Sequence, residues 1–531
     1  MYNYKLMLLG CAATLATVSA GHAADLPTRK AAPVQYVKIC DAYGAGFFYI
    51  PGTDTCLRIG GMVKTEIAAS NTGYRVNLPN LNTASAVAAV NLATFAPAGG
   101  YIPAYWPSQS RDAVGWNAEG RVELDARTQS PWGTVRAFIR VSSYFGSGAT
   151  ANTGSLSNAF LGQPNLGTLA ARESTLLDKA FIQFAGLTMG RVSSMFDFYG
   201  NAVGYSGMRG SVQTVNALAY TMVFAGGVSG TLSIEDAVSH RAAAGNVVAY
   251  NNGLIAGAPM SQFLGTRMPD IVANLRIDQP WGSAQLSGAV HRVGAGLYNV
   301  AGLFPGAVPP VPANIMLNQS DKIGYAIQAG VKFNLDMLAP GDVLWLQATY
   351  ARGAIGYVDG SNLSYNGGVY SSTAYGIGAG RMSSGIGWHG GSLESDCVWT
   401  YSGACDMSKS FAVVGALRHF WTPTVSSTLT ANYYQVNYSN ASLNPVPGAL
   451  SVGSTISGVG VTNYKEVQLA AGLMWNPVKG FELGTEFTWQ HGITSRPVGL
   501  ASDAVLLSSG MPAFKSQADL YRLRVRAMRQ F

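Results

Sequence analysis

The chain has 531 residues, 11% of them charged and 48% hydrophobic, with 64 Gly, 26 Tyr and a formal net charge of +7. So few charges exclude an ordinary solvated surface, which carries far more. Beyond its first residues the chain has no apolar run near the ~20 residues that a spanning helix needs.

Residues 1–23 read as an export signal. Lys5 supplies the positive end, and Leu6 to Val18 is apolar but too short for a bilayer. Gly21 and Ala23 fit cleavage after Ala23. Almost no apolar segment precedes Cys11, so a lipoprotein anchor there does not fit. Cleavage removes Lys5 and no acid, which lowers the net charge from +7 to +6. Four cysteines remain: Cys40, Cys56, Cys397 and Cys405. An even count in an exported chain predicts disulfides, by nearest-neighbour pairing Cys40–Cys56 and Cys397–Cys405. The alternative is that one or both pairs stay reduced. No His lies at finger spacing, so the cysteines do not read as a metal site.

Residues 24–55 carry Pro and Gly and read as a periplasmic leader stapled to the first strand. Residues 56–531 read as one alternating domain. In Cys56–Ala68, Leu57, Ile59, Gly61, Val63 and Ile67 face one way, while Arg58, Lys64 and Glu66 face the other. A loop follows at roughly 70–113. The stretch Gly115 to Val141 is the clearest element. Ala118, Gly120, Val122, Leu124 and Ala126 alternate with Glu119, Arg121, Glu123, Asp125 and Arg127. After a Pro-Trp-Gly turn, Val135, Ala137, Ile139 and Val141 alternate with Arg136 and Arg140.

The same rhythm predicts strands at 179–184, 188–194, 217–224, 231–237, 271–277, 284–293, 323–333, 343–350, 411–421, 425–436, 467–475, 481–489 and 518–531, sixteen in all. SPWG at 130–133, QPWG at 279–282 and NPVKG at 476–480 follow strands of one parity, so short turns share one end and long loops the other. That segregation is the mark of an outer-membrane barrel. In the closing stretch YRLRVRAMRQF, Arg522, Arg524 and Arg526 share one face. A lipid-facing charge costs roughly 2–4 kcal/mol near the midplane, so all three must point inward. Phe531 as final residue fits the barrel-assembly signal, and Arg529 departs from the apolar position expected two before it. The reading is an all-β, transmembrane, antiparallel up-and-down barrel in contact with outer-membrane lipid. Its basic residues lie inside, so the positive charge does not argue for nucleic acid.

At AADLPTRKAAPVQYVKICDAYGAGFFYIPGTDTCLRIGG (residues 23–61), SPWG (130–133), KAFIQFAGLTMGR (179–191) and the terminal Phe531, the chain resembles the alphaproteobacterial general porin family. The resemblance covers the whole chain. It implies a sixteen-stranded barrel, commonly a homotrimer, that passes small hydrophilic solutes and ions through a water-filled channel. It also implies a third external loop folded inward, here residues 195–215, carrying Asp197 and Arg209. Facing it would stand a basic wall of Arg58, Lys64, Arg121, Arg127, Arg136 and Arg140. A carboxylate opposite such a wall makes a transverse field, and a single acid there predicts neutral-to-anion preference. The plainer alternative is that Glu119, Glu123, Asp125, Glu482 and Glu486 simply pair with these arginines and the terminal ones.

Two other functions compete. Trp106, Trp116, Trp388 and Trp399 suggest a stacking track for a sugar-specific channel, against an interfacial girdle to which Trp132 and Trp281 belong. The loop at 352–409 suggests a surface adhesion or structural role. An enzyme finds little support. His291 and His419 alone of the histidines fall on strands, His291 near Ser287, with no carboxylate at strand spacing to orient either ring. No phosphate loop or metal constellation appears, so no cofactor is expected.

Overall fold

A computed structural model describes residues 38–70, 114–148, 172–241, 243–246, 259–299, 315–359, 395–400, 403–443, 462–496, 504 and 516–531. The predicted signal, residues 1–23, lies outside them, as do the leader's first residues.

Sixteen antiparallel strands close into one barrel. They are β1 Cys56–Ser70, β2 Val114–Ser130, β3 Gly133–Gly148, β4 Arg172–Phe184, β5 Leu187–Ser193, β6 Thr214–Val223, β7 Val228–Glu235 and β8 Asp270–Gln279. The second half comprises β9 Gly282–Asn299, β10 Ile315–Asn334, β11 Val343–Arg352, β12 Lys409–Thr422, β13 Val425–Asn437, β14 Tyr464–Val478, β15 Phe481–Thr494 and β16 Gln517–Gln530. Each pairs with its sequence neighbour, and β16 returns to β1 in the register Met62↔Gln530 to Ser70↔Arg522. Phe531 extends that seam by exchanging backbone hydrogen bonds of 3.0 and 3.1 Å with Gly61. Closure leaves no sheet edge, which hydrocarbon would not tolerate. Among the described residues no helix is long and apolar enough to cross a membrane.

The alternation read from sequence is the alternation of faces. On β2, Trp116, Val122 and Leu124 are exposed outward, while Asn117, Glu119 and Asp125 are buried inward. Strands overrun their predicted ends where that signal fades. The outer end of β10, IMLNQSDK, has polar residues at successive positions and so shows no two-residue period. At the opposite end the turns are tight. Ala185 and Gly186 both take positive φ, 48° and 85°. This is the primed geometry that matches the twist of the flanking strands.

Two disulfides form, Cys40–Cys56 and Cys397–Cys405, with Cα separations of 6.0 and 5.4 Å. The first ties the segment before β1 to the barrel rim, where Phe48–Tyr49 pairs with Leu57 and Cys56. Phe47 lies over the guanidinium groups of Arg58 and Arg127.

Candidate functional site

The segment between β5 and β6, residues 194–213, leaves the wall and crosses the lumen. Irregular backbone buried this way must find partners for its peptide groups, and alternate inward positions of the opposite strands supply them. At the root, Glu235 accepts from the Ser194 hydroxyl (2.7 Å) and the Met195 N–H (2.9 Å). Further along, the amides of Gln328 and Gln285 donate to the carbonyls of Phe196 (2.8 Å) and Asp197 (3.1 Å). Gln347 accepts from the Tyr199 N–H (2.9 Å). On the far side Glu486 accepts from the Tyr205 N–H and the Ser206 hydroxyl, both at 2.6 Å. Arg209 meets Glu466 through two bonds of 3.0 and 2.9 Å.

The loop thus lies against β9–β15 and leaves an opening on the side of β1–β8. A cavity of about 550 Å³ occupies it. Five basic side chains line the cavity, Arg58, Arg136, Arg140, Lys179 and Arg276, together with two acidic ones, Glu123 and Asp197. The nearby acids sit deeper. The Asp125 side chain is 1% exposed and holds Arg127 at 2.8 Å, Arg136 at 3.0 Å and Arg58 at 3.9 Å. Glu119 is equally covered, between Arg121 (2.9 Å) and Lys64. Arg140 bonds Glu123 at 2.8 Å. At Asp125 a solute in the opening therefore meets guanidinium groups above the carboxylate, whereas Glu123 stands level with Arg140, 25% against 23% exposed.

Of the residues singled out by sequence, Arg58, Arg136, Arg140 and Asp197 line this cavity. Lys64, Arg121 and Arg127 point inward but serve as partners of Glu119 and Asp125. Arg209 does not reach the opening: its side chain is fully buried against Glu466, because its part of the loop is pinned to the far wall. Asp197 is turned back into its own loop, where it accepts from the Gln213 N–H at 2.8 Å. Burial pushes its pKa up to about 7, against the lowering effect of hydrogen bonds from Ser211 and Gln213. Arg524 and Arg526 face the lumen, as the lipid penalty requires. They clamp Glu66 at 3.0 and 2.9 Å, and Arg526 stacks on Tyr205 of the loop. Arg522 is buried on the same face. These three lie on the anchoring side, away from the cavity. Lys179 and Arg276 were missed as lining residues, although their inward parity on β4 and β8 was available to find them.

A sixteen-strand cylinder with an inward loop and a basic opening sets the context for comparison with known proteins. A profile of the porin subfamily matches residues 25–505. The chain belongs to that subfamily. Porin Omp2b of Brucella suis biovar 1 is 27% identical over 292 residues, 53% of this chain and 64% of that protein. Porin Omp2b of Brucella abortus (strain 2308) gives the same values. The match thus spans less than two thirds of these curated relatives' own length. Among solved structures, the outer membrane channel DcaP of Acinetobacter baumannii is 13% identical with a TM-score of 0.49, covering 91% of this chain and 99% of that one. The anion-selective porin from Comamonas acidovorans is 9% identical with a TM-score of 0.42, covering 90% and 100%. At these scores neither likeness bears on which solutes pass here. As a porin the chain is a multi-pass protein of the outer membrane.

Expectations about this porin change at the histidines and the tryptophans. Both strand histidines do have a carboxylate: Asp270, beside the Ile271↔Val290 pair of β8 and β9, lies 2.8 Å from His291 Nδ1, and Asp342 lies 2.6 Å from His419 Nδ1. Asp270 also accepts from the Tyr357 hydroxyl (2.7 Å), and His240 stacks on the Tyr357 ring. Ser287 takes no part, since it accepts from Gln285 (2.9 Å). The described portions of the 352–409 loop turn into the lumen, and its residues 360–394 and 401–402, on which the surface-binding expectation rests, lie outside the described residues. Ile355, Tyr357, Val358 and Val398 pack with Phe196 against the inward alanines Ala289, Ala326, Ala351 and Ala412, and fill part of the outer lumen. Alanine at these wall positions leaves the room. Trp399 is fully buried with Val293, Ala295 and the Cys397–Cys405 disulfide, and Trp116 is 57% exposed on the outer face, so neither forms a lumenal stacking track. Trp106 and Trp388 lie outside the described residues. Trp132, 80% exposed, and Trp281 stand at the turn end, where a membrane girdle would be.

Proposed function

We propose that the chain forms a water-filled channel for passive diffusion of small hydrophilic solutes and ions, preferring anions, and that it assembles as a homotrimer. Membership of the porin subfamily supports the channel and the trimer. The layering at Asp125 and the excess of basic over acidic lining side chains support the anion preference, with the guanidinium groups of Arg58, Arg127 and Arg136 toward the lumen and the carboxylate covered beneath them. Ions within a Debye length, roughly 8–10 Å in physiological salt, respond first to the nearer charges. The protein does no chemistry in this reading; it selects by width and charge. The sugar-channel alternative loses the support of Trp116 and Trp399. Reversal potential of the purified porin across a potassium chloride gradient at low ionic strength tests the proposal. Chloride preference is expected, and clear potassium preference would refute it.

A further inference from the structure

Within the basic cavity runs an apolar strip for which the passage of inorganic ions has no use. Phe138 on β3 and Phe181 on β4 are register partners. They turn to the lumen and stack, with centroids 5.2 Å apart at 26°. Val192 and Met195 continue the strip toward the loop root. A partly exposed phenyl group on a wet wall, as at Phe181, forgoes part of the burial that a core position would provide.

The surroundings of the rings are cationic. The guanidinium of Arg136 lies 5.2 and 5.4 Å from the two centroids, and that of Arg140 lies 5.6 Å from Phe138. Phe138 is covered as a result, whereas Phe181 stays partly exposed. Its register partner on the other flank is Gly190, which presents no side chain against it. The Lys179 ammonium, on the same strand face, donates to the Ser193 hydroxyl at 2.7 Å. A volume of about 550 Å³ is within the range of small-molecule sites.

We propose that this strip and its basic rim form a transient subsite for small aromatic carboxylates, with the ring against Phe181 and the carboxylate toward Lys179 and Arg140. The proposal rests on the anion-channel reading above and narrows it. Basic side chains alone would favour any small anion. An apolar strip alone would favour any apolar body of the right size. The partly exposed Phe181 face, beside Lys179 and the Glu123-paired Arg140 in a lining of five basic and two acidic side chains, favours a solute with both a planar π system and a negative head.

The test uses the full-length porin in planar bilayers carrying a chloride current, with sodium benzoate or sodium cyclohexanecarboxylate added. The two anions share charge and carbon count and differ in aromaticity. Benzoate is expected to inhibit the current at a concentration about two- to tenfold lower than cyclohexanecarboxylate, the range of an aromatic pair contact. Phe181→Leu, with inhibition referred to the variant's own current, should remove that difference. Phe138→Leu reads the same difference if Phe181→Leu does not assemble. Equal potency of the two anions on the wild type, or a difference that survives in the variants, overturns the subsite and leaves the channel standing. A wild type without chloride current, or with potassium preference, overturns the channel reading and the subsite with it.

Discussion

Replacing Arg209 with Ala would leave Glu466 buried without its cation. Both side chains are fully buried in this pair, and removing one partner of such a pair costs about 3–5 kcal/mol. The Tyr464 hydroxyl still donates to Glu466 at 2.9 Å and does not replace a charge. Elsewhere the loop keeps its bonds to Glu235, Gln347 and Glu486, each neutral one contributing about 0.5–1.5 kcal/mol. The root and the Tyr205–Ser206 contact therefore stay docked, and the loosened part is the stretch around residues 207–211. A cost of this size raises the local opening equilibrium roughly 150- to 4,000-fold. Amide hydrogen exchange in detergent, followed on peptides covering 203–213, should accelerate by at least about two orders of magnitude, while strand peptides hold their protection. Arg209→Met combined with Glu466→Gln should restore much of the protection, because no uncompensated charge remains. Exchange within about threefold of wild type for Arg209→Ala, or a double variant looser than the single one, would refute the role assigned to this ion pair.

Three further outcomes are expected. Asp197, on the inward loop, has its pKa pushed up by burial from 3.8 to about 7, so the docked loop retains a proton that the released loop has lost. Its stabilisation is fully present below 3.8 and is lost as pH rises through about 7. Exchange of the 195–213 peptides between pH 4 and 8, corrected for intrinsic rates, should show this trend, and Asp197→Asn should flatten it. Lys179→Glu turns a lining of five basic and two acidic side chains into four and three. The reversal potential should move toward cations, by more at ~0.05 M salt than at ~1 M; no movement would exclude Lys179 from the ion path. A Cβ at Gly356 would run into the backbone carbonyl of His240. Gly356→Val should accordingly unseat the inserted segment and raise the size cut-off for neutral polymers, and an unchanged cut-off would show that the segment does not narrow the pore.

The cylinder was legible because each strand carries its own evidence. Trp116 to Asp125 states two faces in ten residues, and Arg522, Arg524 and Arg526 leave one direction open to them. The opening was legible only in part. Parity tells that Arg136 and Arg524 both face inward, but it is silent about the loop lying over one of them. Arg209 and Asp197 have the residue types of a constriction, yet their partners, Glu466 and Gln213, are set by where the chain turns. The link between His291 and Asp270 spans 21 residues and two strands. The contribution of Asp396, 3.6 Å from the same ring, comes from a loop whose course follows no short-range period. Contacts between distant segments are what local alternation cannot encode.

The covered position of Asp125 has a consequence for the selectivity proposed here. Summed around the wall, its charge and those of Arg58, Arg127 and Arg136 describe a mixed lumen; viewed by a passing ion, they form a cationic veneer over an anionic backing. Under the anion preference proposed above, a substitution that brought the carboxylate level with these guanidinium groups while keeping the tally would weaken that preference. Depth from the water is therefore the variable on which selection for one ion or another would act.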